Sequence, residues 1–227
     1  SILLFGPRGS GKTVFLRHVL TELSPKRIIN LLDADLYLRY SKDPGRFSAE
    51  IQHELEHLSQ STPHYIMVDE VQRLPELLNQ VQLLLDEYGS EKLVFILTGS
   101  SARKLKREDA NLLAGRALAF DFFPFSSNEV DFNRNLDSIL QWGTLPRCYL
   151  STSKQFRTAY LNTYTERYLE EEIQRESEIR NLAGFARFLE LAAHENGKLT
   201  NYSKISKAVS LHPSTVKEYF QILSDTL

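Results

Sequence analysis

Apolar residues follow two successive rhythms along this chain. In the first half, strand candidates stand at Ile2–Phe5, 27–32, 65–68, 93–98 and 116–122, the first, third and fourth of them almost wholly apolar. Runs this short and this apolar predict strands buried on both faces. Between them lie stretches with helical spacing. Segment 46–58 brings Ile51, Leu55 and Leu58 to one face, and 76–88 does the same with Leu77, Val81, Leu84 and Leu85. Strands alternating with helices predict an α/β fold, a parallel sheet with helices on both faces. Ligands of such sheets bind beyond the carboxyl ends of the strands.

After Pro124 the pattern becomes helical only. Short helices are predicted at 126–132 and 134–142, a loop at 143–146, and a long helix at 154–176. The long helix aligns Phe156, Tyr160, Tyr164 and Tyr168, a stripe that reads as packing. Further helices follow at 183–196, 201–209 and 213–223, the last two joined by Ser210-Leu211-His212. These changes divide the chain into 1–124, 125–177 and 178–227.

Composition narrows the picture. The 227 residues are 42% hydrophobic and 25% charged, enough apolar material for a packed core. The net charge of −2 gives no global field that would recruit nucleic acid, so any such contact needs a local patch. A single cysteine, Cys148, excludes an intrachain disulfide and fits a reducing, cytoplasmic setting. No apolar run reaches the length of a membrane span, and no signal peptide is visible. The chain begins at the edge of its first apolar run and stops just past its last helical pattern, so it reads as a fragment.

The chemistry starts where the first run ends. Gly6-Pro7-Arg8-Gly9-Ser10-Gly11-Lys12-Thr13 is a full G-x-x-x-x-G-K-[ST] loop, set between a strand and a helix that begins near Val14. The glycines let backbone N–H groups close around phosphates, and the helix N-terminus adds partial positive charge. Lys12 then reaches the β- and γ-phosphates of ATP, and Thr13 offers its hydroxyl to Mg²⁺. The run 65–68 ends in Asp69-Glu70. Asp69 suits Mg²⁺, and Glu70 suits polarisation of the attacking water. Beyond 93–98, Ser100 is the first candidate to touch the γ-phosphate or orient water, with Thr98 the second. A turn that merely caps a following helix is compatible with either. Arg116 stands before the fifth strand. It reads as a finger for a neighbour's γ-phosphate, as a contact to its own site, or as a structural ion pair.

These motifs together resemble a prokaryotic family of AAA+-type P-loop ATPases, akin to the STAND and origin-recognition ATPases. The resemblance rests on the phosphate loop, on Asp69-Glu70-Val71-Gln72-Arg73-Leu74-Pro75, on Leu97-Thr98-Gly99-Ser100-Ser101 and on Leu113-Ala114-Gly115-Arg116, in that order. Gly143-Thr144-Leu145-Pro146-Arg147 resembles the family's glycine–x–proline element, and the runs 201–205 and 215–219 its winged-helix segment. The resemblance implies a P-loop core, an all-helical lid and a partial winged helix, followed in the family by a nuclease-like domain. It also implies that Pro146 and Arg147 face the nucleotide from the lid. The phosphate loop and the acidic pair call for ATP or ADP with Mg²⁺, and a homo-oligomer follows only if Arg116 serves a neighbouring copy.

One further motif competes. His53-Glu54-Leu55-Glu56-His57 matches H-E-x-x-H, the zinc protease pattern. Pro63 stands where the extended motif needs a third histidine, and the helix's apolar face belongs to other residues, so the protease reading is rejected. The leading expectation is therefore a Mg²⁺-dependent ATPase that repositions a winged-helix unit. A nucleotide-gated DNA or protein switch with little turnover is the alternative. The DNA version would use 198–223, where Lys198, Lys204, Lys207 and Lys217 are opposed by Glu218. A small-molecule kinase is a weaker third, because no acceptor site is visible.

Overall fold

The computed structural model describes residues 1–24, 26–57, 62–100, 113–167 and 181–226. It contains two compact units, one of residues 1–140 with 144–146, the other of 141–143 with 147–227.

The first unit is built on a five-stranded sheet. Its strands are β1 (Ile2–Phe5), β2 (Lys26–Asn30), β3 (His64–Asp69), β4 (Leu93–Gly99) and β5 (Leu118–Asp121). They are ordered β2-β3-β4-β1-β5 and every pairing is parallel. The predicted α/β architecture is thus present. Its helices are α1 (Lys12–Thr21), α2 (Ala34–Lys42), α3 (Pro44–His57), α4 (Leu77–Tyr88) and α5 (Phe132–Trp142), the last of which ends in the second unit.

Side chains alternate across a strand, so the central strands β1, β3 and β4 each feed two cores, whereas β5 is exposed along its length. Leu3, Phe5, Ile66, Val68, Phe95 and Leu97 join the larger one, against Tyr40, Phe47, Ile51, Leu77, Val81 and Leu84 from α2, α3 and α4. Leu4, Met67 and Ile96, one residue out of phase, meet Leu16 and Leu20 of α1 on the other face. The helical spacings read from 46–58 and 76–88 are the faces that pack here, although Leu58 lies outside the described residues.

Helix α2 was not visible as periodicity. Its start is chemical: Asp33 caps it, accepting from the N–H groups of Asp35 at 2.9 Å and Leu36 at 3.2 Å. The helix expected at 126–132 is instead a turn, closed by the Glu129 carboxylate, which accepts from the Ser126 N–H at 2.9 Å and its hydroxyl at 2.8 Å. The chain runs on as turn and bend up to Asp131, and α5 starts only at Phe132.

A charged network ties α2 and α3 to the sheet. Arg27 of β2 pairs with Glu50 and Glu54 of α3, and donates to the Tyr40 hydroxyl at 2.9 Å. Tyr40 in turn donates to Glu50 at 2.9 Å. Burial opposes the ionised Glu50 carboxylate, but hydrogen bonds from Arg27 and Tyr40 with the nearby Arg27 and Arg39 charges hold it below its ordinary range. A lowered folded-state carboxyl contributes stability that is full above the unfolded value and is lost as pH falls through the folded one. Glu50→Gln is therefore expected to lose about 1.5–3 kcal/mol at neutral pH. Urea unfolding should show the gap between variant and wild type closing as the solution is acidified. A gap that stayed constant with pH would show that Glu50 contributes by packing alone.

The second unit contains α6 (Pro146–Tyr149), α7 (Lys154–Arg167), α8 (Leu182–His194), α9 (Tyr202–Val209) and α10 (Pro213–Thr226), with Pro146 itself counted in the first unit. Segment 143–146 was expected as a loop, and its proline in fact opens the helical turn α6, since proline is preset for the first helical position. Along α7 the rings of Phe156 and Tyr160 stack at 5.9 Å, and Tyr164 lies tilted to Tyr160 at 6.3 Å. None of the residues of α7 is buried, and Tyr168 lies outside the described residues. Helices α8, α9 and α10 share a core of Phe185, Phe188, Ile205, Val209, Val216, Tyr219 and Ile222. The turn between α9 and α10 is set by Ser210, which adopts the left-handed conformation with φ of 55°.

Candidate functional site

Parallel pairing brings distant motifs to one edge. Phe5 is opposite Gly99, and Val68 is opposite Leu97, so the residues just beyond β1, β3 and β4 emerge together.

Gly6 leaves β1 under tight constraint. A β-carbon there would lie 1.9 Å from the Phe122 carbonyl oxygen, and Phe122 N–H bonds to Phe5 O at 2.6 Å. Only glycine fits that approach. Gly11, with φ of 103°, stands at the start of α1 and brings no side-chain cap. The first turn of α1 carries no acidic residue, so its unpaired N–H groups face no competing anion. Lys12 is only 8% exposed. Its ammonium donates to Gly6 O at 2.6 Å, Pro7 O at 2.9 Å and Ser10 Oγ at 3.4 Å. Val14, in the first turn of α1, keeps a 75% exposed side chain. Arg8 and Gly9 lie in the turn before the helix, with Gly9 at φ of 76°.

Asp69 is buried at the end of β3 and both carboxylate oxygens accept hydrogen bonds. Thr13 Oγ1 donates to Oδ2 at 3.1 Å, and the buried Thr98 Oγ1 donates to Oδ1. Thr98, the second candidate for contact with the γ-phosphate, is therefore engaged with the acid. The Thr13 hydroxyl and Asp69 carboxylate form an oxygen-only donor set, which fits a hard cation such as Mg²⁺.

Glu70 has the left-handed φ of 61° and ψ of 43°, uncommon for a residue with a β-carbon. The chain then makes a short 3₁₀ turn, Val71–Arg73. That turn carries Gln72 beneath the strand ends, where its Nε2 donates to Glu70 Oε2 at 2.7 Å and Ser100 Oγ at 2.9 Å. Gln72 was not singled out in the sequence. The signal for it was a neutral polar residue two positions after the second acid. Ser101 and the helix expected beyond it lie outside the described residues.

Pro146 meets the loop: its Cγ would lie 3.7 Å from a β-carbon on Gly11. Arg147 is engaged elsewhere, its guanidinium 5.8 Å from the centre of the Tyr160 ring. Arg116 pairs with Asp86 near the end of α4, its Nη2 at 3.1 Å from Oδ2. Its carbonyl accepts from the Ser1 ammonium, so it stands at the amino end of the sheet. The strand rise separates that end from its own phosphate loop by roughly 15 Å.

The H-E-x-x-H pattern has no protease geometry. Glu54 is held by Arg27 and by His64 Nε2 at 3.0 Å, and is not available as a base between His53 and His57. Those histidines and Glu56 form an exposed trio, ligand atoms within 4.8 Å of one another. The C-terminal lysine patch is weaker than its spacing implied. Glu195 pairs with Lys198 at 3.4 Å and Lys204 at 3.6 Å, an opposition that sequence reading assigned to Glu218 alone. Desolvation works against the Glu195 charge, but the two lysines hold its carboxyl below the ordinary range.

In comparison with known proteins, residues 1–131 match a family described as an AAA domain, and residues 133–227 match one described as a domain of unknown function. An uncharacterized protein of Haemophilus influenzae is 29% identical over 143 residues, 60% of this chain and 34% of that protein. The chain thus spans about a third of the curated relative it matches. Among solved structures, the Aeropyrum pernix ORC1 protein in complex with DNA is similar over 99% of this chain and 77% of that one, at a TM-score of 0.41 and 12% identity. Among the described residues, no helix is long and apolar enough to cross a membrane.

Proposed function

This chain belongs to the AAA domain family, and from that premise we propose that it binds ATP at the phosphate loop and hydrolyses it with Mg²⁺. The observation that carries the reading is the convergence of Lys12, Thr13, Asp69, Glu70 and Ser100 at the carboxyl edge of adjacent parallel strands. The loop amides from Gly6 to Thr13 cradle the phosphates. Lys12 exchanges Gly6 O and Pro7 O for phosphate oxygens. Thr13 and Asp69 would hold Mg²⁺, which would neutralise charge on the β- and γ-phosphates. Thr98 fixes the Asp69 carboxylate. Glu70 takes the role of general base, accepting a proton from the attacking water, and Ser100 that of a γ-phosphate contact. Pro146 offers its ring against the nucleotide side of Gly11.

Hydrolysis would reposition the helix pair α9–α10, which we read as part of a winged helix in a third domain. A DNA contact through 198–223 is the lesser role for that pair, because Glu195 already engages Lys198 and Lys204. A protein partner is the better fit.

Arg116 is too far from its own loop to act there, so a catalytic role requires a neighbouring copy. Phosphate release from ATP by wild type, with and without Mg²⁺, tests the activity itself. Mixing Arg116→Ala with Lys12→Ala protein tests the finger: activity should return in part, since one mixed interface carries an intact loop and an intact arginine. No return in a verified mixed oligomer would reduce Arg116 to its ion pair with Asp86.

A further inference from the structure

The carboxylate assigned as base is not positioned by its own backbone alone. Glu70 sits at a left-handed residue on an open strand end, and such a side chain has several rotamers within reach. The group that selects among them is Gln72. It is only 4% exposed, although its side chain is fully polar. Its amide nitrogen is assigned without ambiguity, because one of its partners is the Glu70 carboxylate, which only accepts. The second proton goes to Ser100, at the tip of the next strand. The amide oxygen is buried and meets no donor among the described residues. It lies against Gly99, where a β-carbon would come within 2.5 Å of it. An acceptor left unpaired in the interior is unfavourable, and an apolar residue of the same size would avoid it. The retained amide therefore points to a use for its nitrogen.

We propose that Gln72 is a positioning residue for hydrolysis. It holds the Glu70 carboxylate in register with Ser100, so that the base and the γ-phosphate contact move as one unit. This inference rests on the ATPase reading above. Through Gln72, loss of phosphate contact at Ser100 is transmitted to Glu70, although the two residues follow different strands. Gly99 is then required by Gln72 as much as by the strand.

The test compares steady-state ATP hydrolysis by wild type, Gln72→Leu, Gln72→Met, Glu70→Gln and the double variant Glu70→Gln with Gln72→Leu. Misplacing a catalytic group by about 1 Å costs on the order of 10²-fold in rate. Gln72→Leu and Gln72→Met should both lose kcat on that scale, with KM for ATP and thermal unfolding close to wild type. Gln72→Met keeps the length and unbranched shape of the side chain, donates nothing and brings no charge, so it separates the donor role from packing. In the Glu70→Gln background, Gln72→Leu should cause no further loss, because the residue acts through Glu70. Wild-type kcat in Gln72→Met, or additive losses in the double variant, would overturn the proposal and leave the ATPase reading intact. A wild type that binds ATP without turning it over would overturn both.

Discussion

In a phosphate-release assay, Glu70→Gln is expected to hydrolyse ATP about 10²–10⁴ times more slowly than wild type. That range corresponds to roughly 3–5 kcal/mol of transition-state stabilisation. The substitution keeps the size of the side chain and its acceptor for Gln72, so the local fold should persist. What it removes is the negative charge and basicity that draw a proton from water. ATP binding should remain near the wild-type level, because the phosphate loop and the Thr13–Asp69 pair are untouched. Titration with a fluorescent ATP analogue, run beside the turnover assay, separates the two properties. Equal turnover in variant and wild type would remove Glu70 from the role of base.

Lys12→Ala should instead fail at binding, with affinity for ATP lowered about 10–100-fold. A hydrogen bond to a charged group contributes about 1.5–3 kcal/mol, which is that range of affinity. The lysine is almost buried, so water screens its charge little. Two carbonyl oxygens, of Gly6 and Pro7, also lose their donor, and the loop should become less ordered. Lys12→Arg should not restore binding, since a planar guanidinium does not replace a compact ammonium in a cradle closed by Gly6 O, Pro7 O and Ser10 Oγ. Isothermal titration with ATP and Mg²⁺ measures both variants. Undiminished affinity in Lys12→Ala would mean that the loop amides alone hold the phosphates.

The parts of this protein legible in its sequence are those encoded within a few neighbouring residues. Uninterrupted apolar runs marked β1, β3 and β4 because central parallel strands are buried on both faces. The phosphate loop was legible because its glycines answer local backbone demands, at Gly6 a close approach and at Gly11 a positive φ. Elements defined by capping were harder: Asp33 starts α2 with a hydrogen bond that periodicity does not register, and Glu129 closes a turn where spacing suggested a helix.

Tertiary structure decided everything that depends on which strands are neighbours. The order β2-β3-β4-β1-β5 sets Thr13 beside Asp69 across 56 positions and Gln72 beside Ser100 across 28. The same order places Arg116 at the amino end of the sheet, away from its own loop, where sequence left its role open. It also turns Glu54 towards Arg27 and His64, which dissolves the apparent zinc motif. Local spacing specifies which face of an element is apolar. The partner that meets a polar side chain is specified only when the sheet assembles, because hydrogen bonds are directional and short while the residues that make them are far apart in the chain.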